Sequence, residues 1–293
     1  MPPKLPTQEL SFGSMIPLQD GIIEHAIHAW LEETEGGDLP TAAGTRGRGS
    51  DAGKCSRQIA FQILEFERQV PIPPATLMAF KVGHALHDAV QTVAEQRLEA
   101  EREVVADWRP QYDVSCHGDL LYTMKSTGLR TVGEIKSKAG YGFLLATGER
   151  ASEDGPGPKM EDVLQAALTA AAPNIDAQLI HMIYLDKDKH GIAEWLIDMD
   201  QPFPQWGGSP RELAMAELER FTGIFGRIDD GLMPVRYIPN FGRVQEPPAQ
   251  NTRNDPWQCR YCAFQPVCVR MEVGATPIDA ARLIAADLVP MEG

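Results

Sequence analysis

An α/β fold, a mixed central sheet flanked by helices, is predicted by three features of the chain. Segments with apolar residues at helical spacing open it. Short β-prone runs separated by polar breaks follow. The order helices, strands, helix, strands, helix then places helices around a sheet rather than in a separate bundle. With 293 residues and 43% hydrophobic content, the chain is long enough to bury the core that such a layered fold needs.

Each element has its own signal. Residues 1–17 read as an irregular arm, with prolines at Pro2, Pro3 and Pro6. In residues 18–34, Ile22, Ile23, Ala26, Trp30 and Leu31 fall at helical spacing. A Gly-rich loop follows, and then a helix over 54–69 with Ile59, Ile63 and Phe66 on one side. The prolines of 71–74 break it. The next helix, 75–101, is expected to turn Leu77, Phe80, Ala85, Leu86, Val90 and Val93 inward. From residue 103 the texture becomes β: runs at 103–108, 112–124 and 129–138, the last two joined by a turn at Ser126-Thr127-Gly128. A loop over 148–159 and a helix over 160–172 come next. Strands at 176–187 and 191–199 flank a Lys189-His190-Gly191 turn. A helix over 210–228, a Pro- and Asn-rich connection, a cysteine-rich segment and a short C-terminal helix close the chain. The divisions are an N-terminal helical region, 1–100, a core, 101–235, and a tail, 236–293, integrated as one domain.

Composition excludes some classes. The longest apolar runs are too short to span a bilayer, and the N-terminus lacks the apolar core of a signal peptide, so a cytoplasmic protein with no membrane partner is expected. A net charge of −14 argues against coating nucleic acid by bulk positive charge. It leaves room for a local basic groove, for which Arg46, Arg48, Lys54 and Arg57 are one candidate group; Lys136 with Lys138, and Arg260 with Arg270, are others.

The run at 131–143 puts Glu134, Lys136 and Lys138 on alternate positions, hence on one face of a strand. Asp119 lies on the preceding strand after Gly118. Neighbouring strands lie about 5 Å apart, so a hairpin can bring both carboxylates to one divalent cation. Mg²⁺ and Mn²⁺ suit such oxygen ligands, and the Ile135 carbonyl can add another. Lys136 can steady an attacking water or the charge that builds on a phosphate. Taken alone, an aspartate and an E-x-K occur on many solvated strands. His87, with His84 one turn earlier, sits on the long helix and can bring an imidazole to the same cation. Gln165 lies on the helix that follows the strands.

Cysteines are the sharper signal. Cys259, Cys262 and Cys268 stand at C-x2-C-x5-C, a spacing that lets a loop aim thiolates at one point. A four-thiolate site needs one more. Cys55 opens a helix after a Gly-rich loop, whereas Cys116 alternates with Val114 in a strand and reads as a packed core thiol, so Cys55 is the choice. Iron–sulfur and zinc both accept four thiolates, and spacing does not separate them.

In order, one N-terminal cysteine, G-x3-H (Gly83 to His87), G-D (Gly118-Asp119), E-I-K (Glu134-Ile135-Lys136), a helical glutamine and C-x2-C-x5-C resemble the PD-(D/E)xK nuclease superfamily. The chain looks most like its RecB-like iron–sulfur branch, which includes the CRISPR-associated iron–sulfur exonucleases and the nuclease domain of AddB. The resemblance covers about residues 50–270. It implies a restriction-endonuclease-like core and a [4Fe–4S] cluster on Cys55, Cys259, Cys262 and Cys268 that ties the N-terminal helical part to the tail. It implies Mg²⁺ or Mn²⁺ on His87, Asp119 and Glu134, with Lys136 assisting hydrolysis and Gln165 opening the family's Q-x3-Y motif. The implied activity is exonucleolytic hydrolysis of single-stranded DNA or DNA ends, in a phage-encoded protein of the host cytoplasm or one near CRISPR loci. A homo-oligomer or a recombination- or CRISPR-type partner would be compatible. Thr169 departs from the motif's tyrosine, and Ser56-Arg57 from the more typical C-P-R. The alternative is a module that grips DNA ends for a partner through an iron–sulfur or zinc centre without cutting.

Overall fold

A computed structural model describes residues 44–147, 157–203, 205–236, 257–271, 274 and 276–288. The arm 1–17, the helix expected over 18–34, most of the 148–159 loop and most of the Pro- and Asn-rich connection lie outside these residues.

The described elements are β1 (Gly47–Arg48), a 3-10 turn (Gly49–Asp51), α1 (Ser56–Ile63), α2 (Pro74–Leu98), β2 (Glu101–Asp107), β3 (Val114–Thr123), β4 (Arg130–Lys138), α3 (Gly140–Thr147), α4 (Met160–Ala170), β5 (Leu179–Asp186), β6 (Ile192–Asp198), α5 (Pro210–Asp229), β7 (Leu232–Met233), α6 (Trp257–Arg260), α7 (Gln265–Arg270), β8 (Thr276–Pro277) and α8 (Ile278–Ala286). Six strands form one mixed sheet. Its order is β1-β3-β4-β5-β6, with β2 also on β3, and β7 and β8 make a separate pair. β3 pairs antiparallel with β2 and β4, β4 runs parallel to β5, and β6 returns antiparallel to β5. The expected mixed α/β architecture is therefore the one observed.

The sheet is covered on both faces. Val114, Cys116, Val132, Ile180, Met182 and Tyr184 share a core with α4 and α5. Leu120, Tyr122, Ile135, Ile183 and Leu185 point the other way, toward α2, where Leu86, Val90 and Ala94 meet them. In β4 and β5 this is the ordinary period-2 alternation. β3 breaks it. Cys116 and Gly118 look toward α4, while Leu120 and Tyr122 look toward α2, so the strand changes face at Asp119. β2 makes the same change beside it at Glu103, whose φ of 50° is left-handed.

β3 is also where the sheet opens. Leu120 pairs with Arg102 of β2 and with Gly133 of β4, so β2 and β4 lie on opposite edges. Ser115 pairs with Asp107 of β2 and Arg48 of β1, so β1 shares the β4 edge. Between the β1 and β4 pairings, residues 116–119 have no strand partner on that edge among the described residues. The gap ends at Asp119.

Four sequence expectations are corrected. The helix of 54–69 is shorter: α1 ends at Ile63 and Glu65 turns left-handed, folding Phe66 back so that its N–H donates to the Phe61 carbonyl. The inward face of α2 is the predicted stripe only in part: Leu77, Leu86 and Val90 turn inward, and Phe80, Ala85 and Val93 do not. Leu77, Gly83, Gln91 and Ala94 are buried, whereas Phe80 and Val93 are 47% and 60% exposed. Because His87 and Gln91 lie on the sheet-facing side, a count of apolar residues alone misreads the helix. Residues 140–147 form helix α3, so the run of 131–143 ends as a strand at Lys138; no element was expected over 144–147. The N-terminal basic group is no groove: Arg46 pairs with Asp113 and Asp229, Lys54 pairs with Asp51, and Arg57 is fully buried. No described helix is long and apolar enough to cross a membrane.

Candidate functional site

The opening in the sheet sets the geometry. Asp119 turns its carboxylate into the gap, where its Oδ2 accepts from the Ile135 backbone N–H at 2.6 Å. Its Oδ1 stands 3.5 Å from His87 Nδ1 on α2. α2 reaches this close because Gly83 carries no side chain; a Cβ there would lie 3.1 Å from Ser137 Oγ. On β4, Glu134 is buried on the opposite sheet face from Ile135. Its Oε1 accepts from Lys136 Nζ at 2.7 Å, and its Oε2 has no hydrogen-bond partner. Lys136 also donates to Gln165 Oε1 at 2.8 Å, so α4 holds the ammonium from the far side. Asp119, Glu134, Lys136, Gln165, His87 and Ile135 thus form one neighbourhood, built from β3, β4, α4 and α2.

A second ion pair adjoins it. Lys138 Nζ stands 2.8 Å from Asp162 Oδ2, which also accepts from the Tyr184 hydroxyl at 3.1 Å. Charges therefore alternate across the face: Glu134, Lys136, Asp162, Lys138. Asp162 was missed from sequence, although it lies three residues before Gln165 and so on the same side of α4, which is the spacing that could have exposed it.

Burial pushes the Glu134 carboxyl up to about 7; Lys136 opposes the shift, and Asp119 and Asp162 add to it. Burial acts to weaken Lys136 as a cation, but Glu134, Asp162 and Asp119 outweigh it, so the ammonium is held above its ordinary range. Burial acts to raise Asp162, yet Lys138, Lys136 and the Tyr184 hydroxyl keep it below the usual carboxylate range. Tyr184 is pushed up by burial and by Asp162, which keeps its hydroxyl a donor.

The motif departures have physical reasons. A Cβ on Gly118 would lie 2.8 Å from Thr169 Cγ2, so the residue before Asp119 must be small to let α4 rest on the sheet. Thr169 is fully buried in that contact, with its hydroxyl donating to the Gln165 carbonyl at 3.4 Å. It does not present a surface group in place of a tyrosine.

A second cluster joins the two ends of the described chain. Phe61 and Phe66, in and just after α1, pack with Phe264, Val267 and Met271, in and around α7. Cys55 caps α1, and its segment is anchored to α5: the Gly53 N–H donates to Glu217 Oε1 at 2.9 Å, and Arg220 Nη1 donates to Ser56 Oγ at 3.0 Å. Arg57 reaches across to the tail. Its Nε donates to the Pro234 carbonyl at 3.1 Å, its Nη2 to the Gly274 carbonyl at 2.9 Å, and its Nη1 faces Cys268 Sγ at 3.9 Å. Burial pushes the Cys262 thiol up to about 12; a hydrogen bond from the Phe264 backbone opposes the shift, and Cys268, Cys55 and Cys259 add to it, so Cys262 feels the other three. Cys116 is apart from them. It is packed in the main core, where burial raises its thiol.

Among the described residues, no three His, Cys, Asp or Glu side chains stand as a finished ligand set for a metal ion. In the first neighbourhood the reason is visible: Glu134 is turned to Lys136, and His87 meets only Asp119.

No family model matches the chain, and no curated protein matches it. Solved structures do. The crystal structure of SSO0001 aligns over 85% of this chain and 96% of its own, at 18% identity and a TM-score of 0.49. An alkaline exonuclease (LHK-Exo) from Laribacter hongkongensis aligns over 64% of this chain and 91% of its own, at 14% identity and a TM-score of 0.42. These are distant similarities of fold, and neither assigns a residue or a reaction to this chain.

Proposed function

We propose that this chain is a divalent-cation-dependent DNA nuclease acting on single strands or ends. The observation that carries the reading is Glu134. Its buried, unpartnered Oε2 shares a neighbourhood with the Asp119 carboxylate, and an ammonium lies 2.7 Å from its other oxygen. A buried carboxylate oxygen without a donor is costly unless something positive meets it. The donor set fits a hard cation: Asp119, Glu134 and the Ile135 carbonyl would hold Mg²⁺ or Mn²⁺, with His87 completing the set. Such an ion supplies Lewis-acid stabilisation of phosphoryl charge and activation of water.

The residues of the chain do the rest. Ile135 N–H and His87 hold the Asp119 carboxylate in the gap between strands. Gln165 keeps Lys136 at Glu134, from where its ammonium can donate to a non-bridging phosphate oxygen or orient the attacking water. Asp162 with Lys138 extends the alternating charge, and Glu134, then Asp162, keep Lys136 protonated.

Cys55, Cys259, Cys262 and Cys268 are proposed to hold a [4Fe–4S] cluster. What supports the reading is geometric: α1, which Cys55 opens, packs on α7, which carries Cys268, and the buried Arg57 brings its guanidinium to 3.9 Å from Cys268 Sγ. Zinc would take the same four ligands. Anaerobic purification separates the two: a brown preparation carrying iron and sulfide supports the cluster, and a colourless one carrying zinc overturns it.

The test of activity is end-labelled single-stranded DNA incubated with Mg²⁺ or Mn²⁺. Shortening by the wild type, abolished in Glu134→Ala and Lys136→Ala, is expected. DNA bound but uncut by the wild type with either ion would favour the non-cleaving end-binding module.

A further inference from the structure

Asp119 is gripped twice from α2, and only one grip was visible in the sequence. His87 meets its carboxylate. One turn on, Gln91 meets its backbone: Gln91 Nε2 donates to the Asp119 carbonyl at 3.1 Å and to Glu103 Oε1. Gln91 Oε1 in turn accepts from Arg102 Nη2 at 3.2 Å. Arg102 is pinned by Asp88 on the same helix, at 2.6 Å. The Gln91 side chain is 3% exposed, and this network uses both of its amide N–H groups and its oxygen.

The backbone it touches is the irregular part of the sheet. The β2–β3 register runs from Arg102↔Leu120 to Val104↔Gly118 and omits the position between them, Glu103 opposite Asp119. β4 pairs with β3 only from Leu120 onward. The Asp119 carbonyl therefore has no ladder partner. Gln91 is the donor that replaces it. A left-handed φ at a non-glycine residue such as Glu103 is unfavourable by itself and needs surroundings that hold it. The face change at Asp119 is what sends its carboxylate toward β4 and His87 instead of down into a core.

We infer that Gln91 is a positioning residue: its hydrogen bonds fix the reversed Asp119 peptide, and through it the aim of the Asp119 carboxylate. The inference rests on the cation-binding reading of Asp119 and Glu134. Gln91 touches neither cation nor substrate. It acts only through the backbone of a ligand, as outer-shell groups at metal sites do. A residue that merely filled space under α2 would be replaceable by any side chain of the same volume.

Gln91→Met separates these roles, because it keeps the bulk and removes every hydrogen bond. Mn²⁺ affinity is measured by calorimetry on DNA-free, chelator-stripped protein, with thermal unfolding recorded on the same samples without metal. The expected result is a folded variant whose Mn²⁺ affinity falls about tenfold or more. DNA cleavage should fall at limiting Mn²⁺ and recover in part when Mn²⁺ is raised. Gln91→Glu, which sets a carboxylate against Glu103 and the Asp119 carbonyl, should lose more affinity than Gln91→Met. Unchanged Mn²⁺ affinity in Gln91→Met, whatever its melting temperature, overturns the inference and leaves the nuclease reading intact. Wild type that binds no Mn²⁺ overturns both.

Discussion

At Glu134 burial and a neighbouring ammonium act in opposite directions, and burial wins: the carboxyl sits at about 7 although Lys136 lies 2.7 Å away. The consequence for stability has a definite sign. In metal-free protein Glu134 binds its proton more tightly folded than unfolded, so its contribution is full below about 4.5 and is lost as pH rises through about 7. Denaturant unfolding in chelator should show stability falling across that window, with Glu134→Gln flattening the slope. An undiminished slope in the variant would contradict the assignment. In cleavage, Glu134→Gln and Lys136→Ala are each expected to lose at least about a hundredfold in turnover, the scale of a positioned proton-handling or charge-stabilising group. Glu134 and Lys136 were legible in the sequence because alternation on one strand needs only residue order. Their burial was not, because it depends on α4, brought over β4 by the crossover to a parallel strand.

Among the elements, α4 and α2 lie on opposite faces of the sheet and reach the site by different contacts. α4 rests on Gly118 through Thr169, and that contact sets how near Gln165 comes to Lys136. Gly118→Ala would force a Cβ against Thr169 Cγ2 and should cost about 1–3 kcal/mol. Thr169→Ser removes that methyl. The double variant should recover part of the loss, a coupling read from a double-mutant cycle in denaturant; strict additivity would show that the contact is not the cause. The two helices also show where sequence reading succeeds and fails. α4 and α5 read correctly because their buried residues are mostly apolar, Thr169 and Glu217 apart, and Ser209, Pro210 and Glu212 mark the start of α5 with a capping box. α2 misled because its sheet-facing side carries His87 and Gln91, while Phe80 and Val93 face away. α3 was missed because it starts two residues after a strand, at a glycine with positive φ.

Over the whole molecule, residues about two hundred apart in sequence are joined at Arg57 and at the packing of Phe61 and Phe66 on Phe264. Arg57 is wholly buried and bonds carbonyls at Pro234 and Gly274, so Arg57→Met should leave both without that donor and cost about 1–3 kcal/mol for each carbonyl left unsatisfied. Cys268→Ser should lower the bound metal content of the purified protein and its melting temperature together, because a thiolate centre closing so long a loop restricts the unfolded chain. Equal metal content in Cys268→Ser would remove that cysteine from the centre. The C-x2-C-x5-C spacing was readable in the tail alone. Cys55 reads as the fourth ligand from its place at the start of a helix; that this helix packs on the tail, through Phe61 and Phe66 on Phe264 and Val267, is a tertiary contact with no local signal.

The most direct measurement of the central claim is anomalous diffraction from a crystal soaked in Mn²⁺. One peak bounded by Asp119 and Glu134, with His87 turned toward it and Glu134 drawn off Lys136, is the predicted result. Mn²⁺ found only elsewhere, with Glu134 still closed on Lys136, would contradict it.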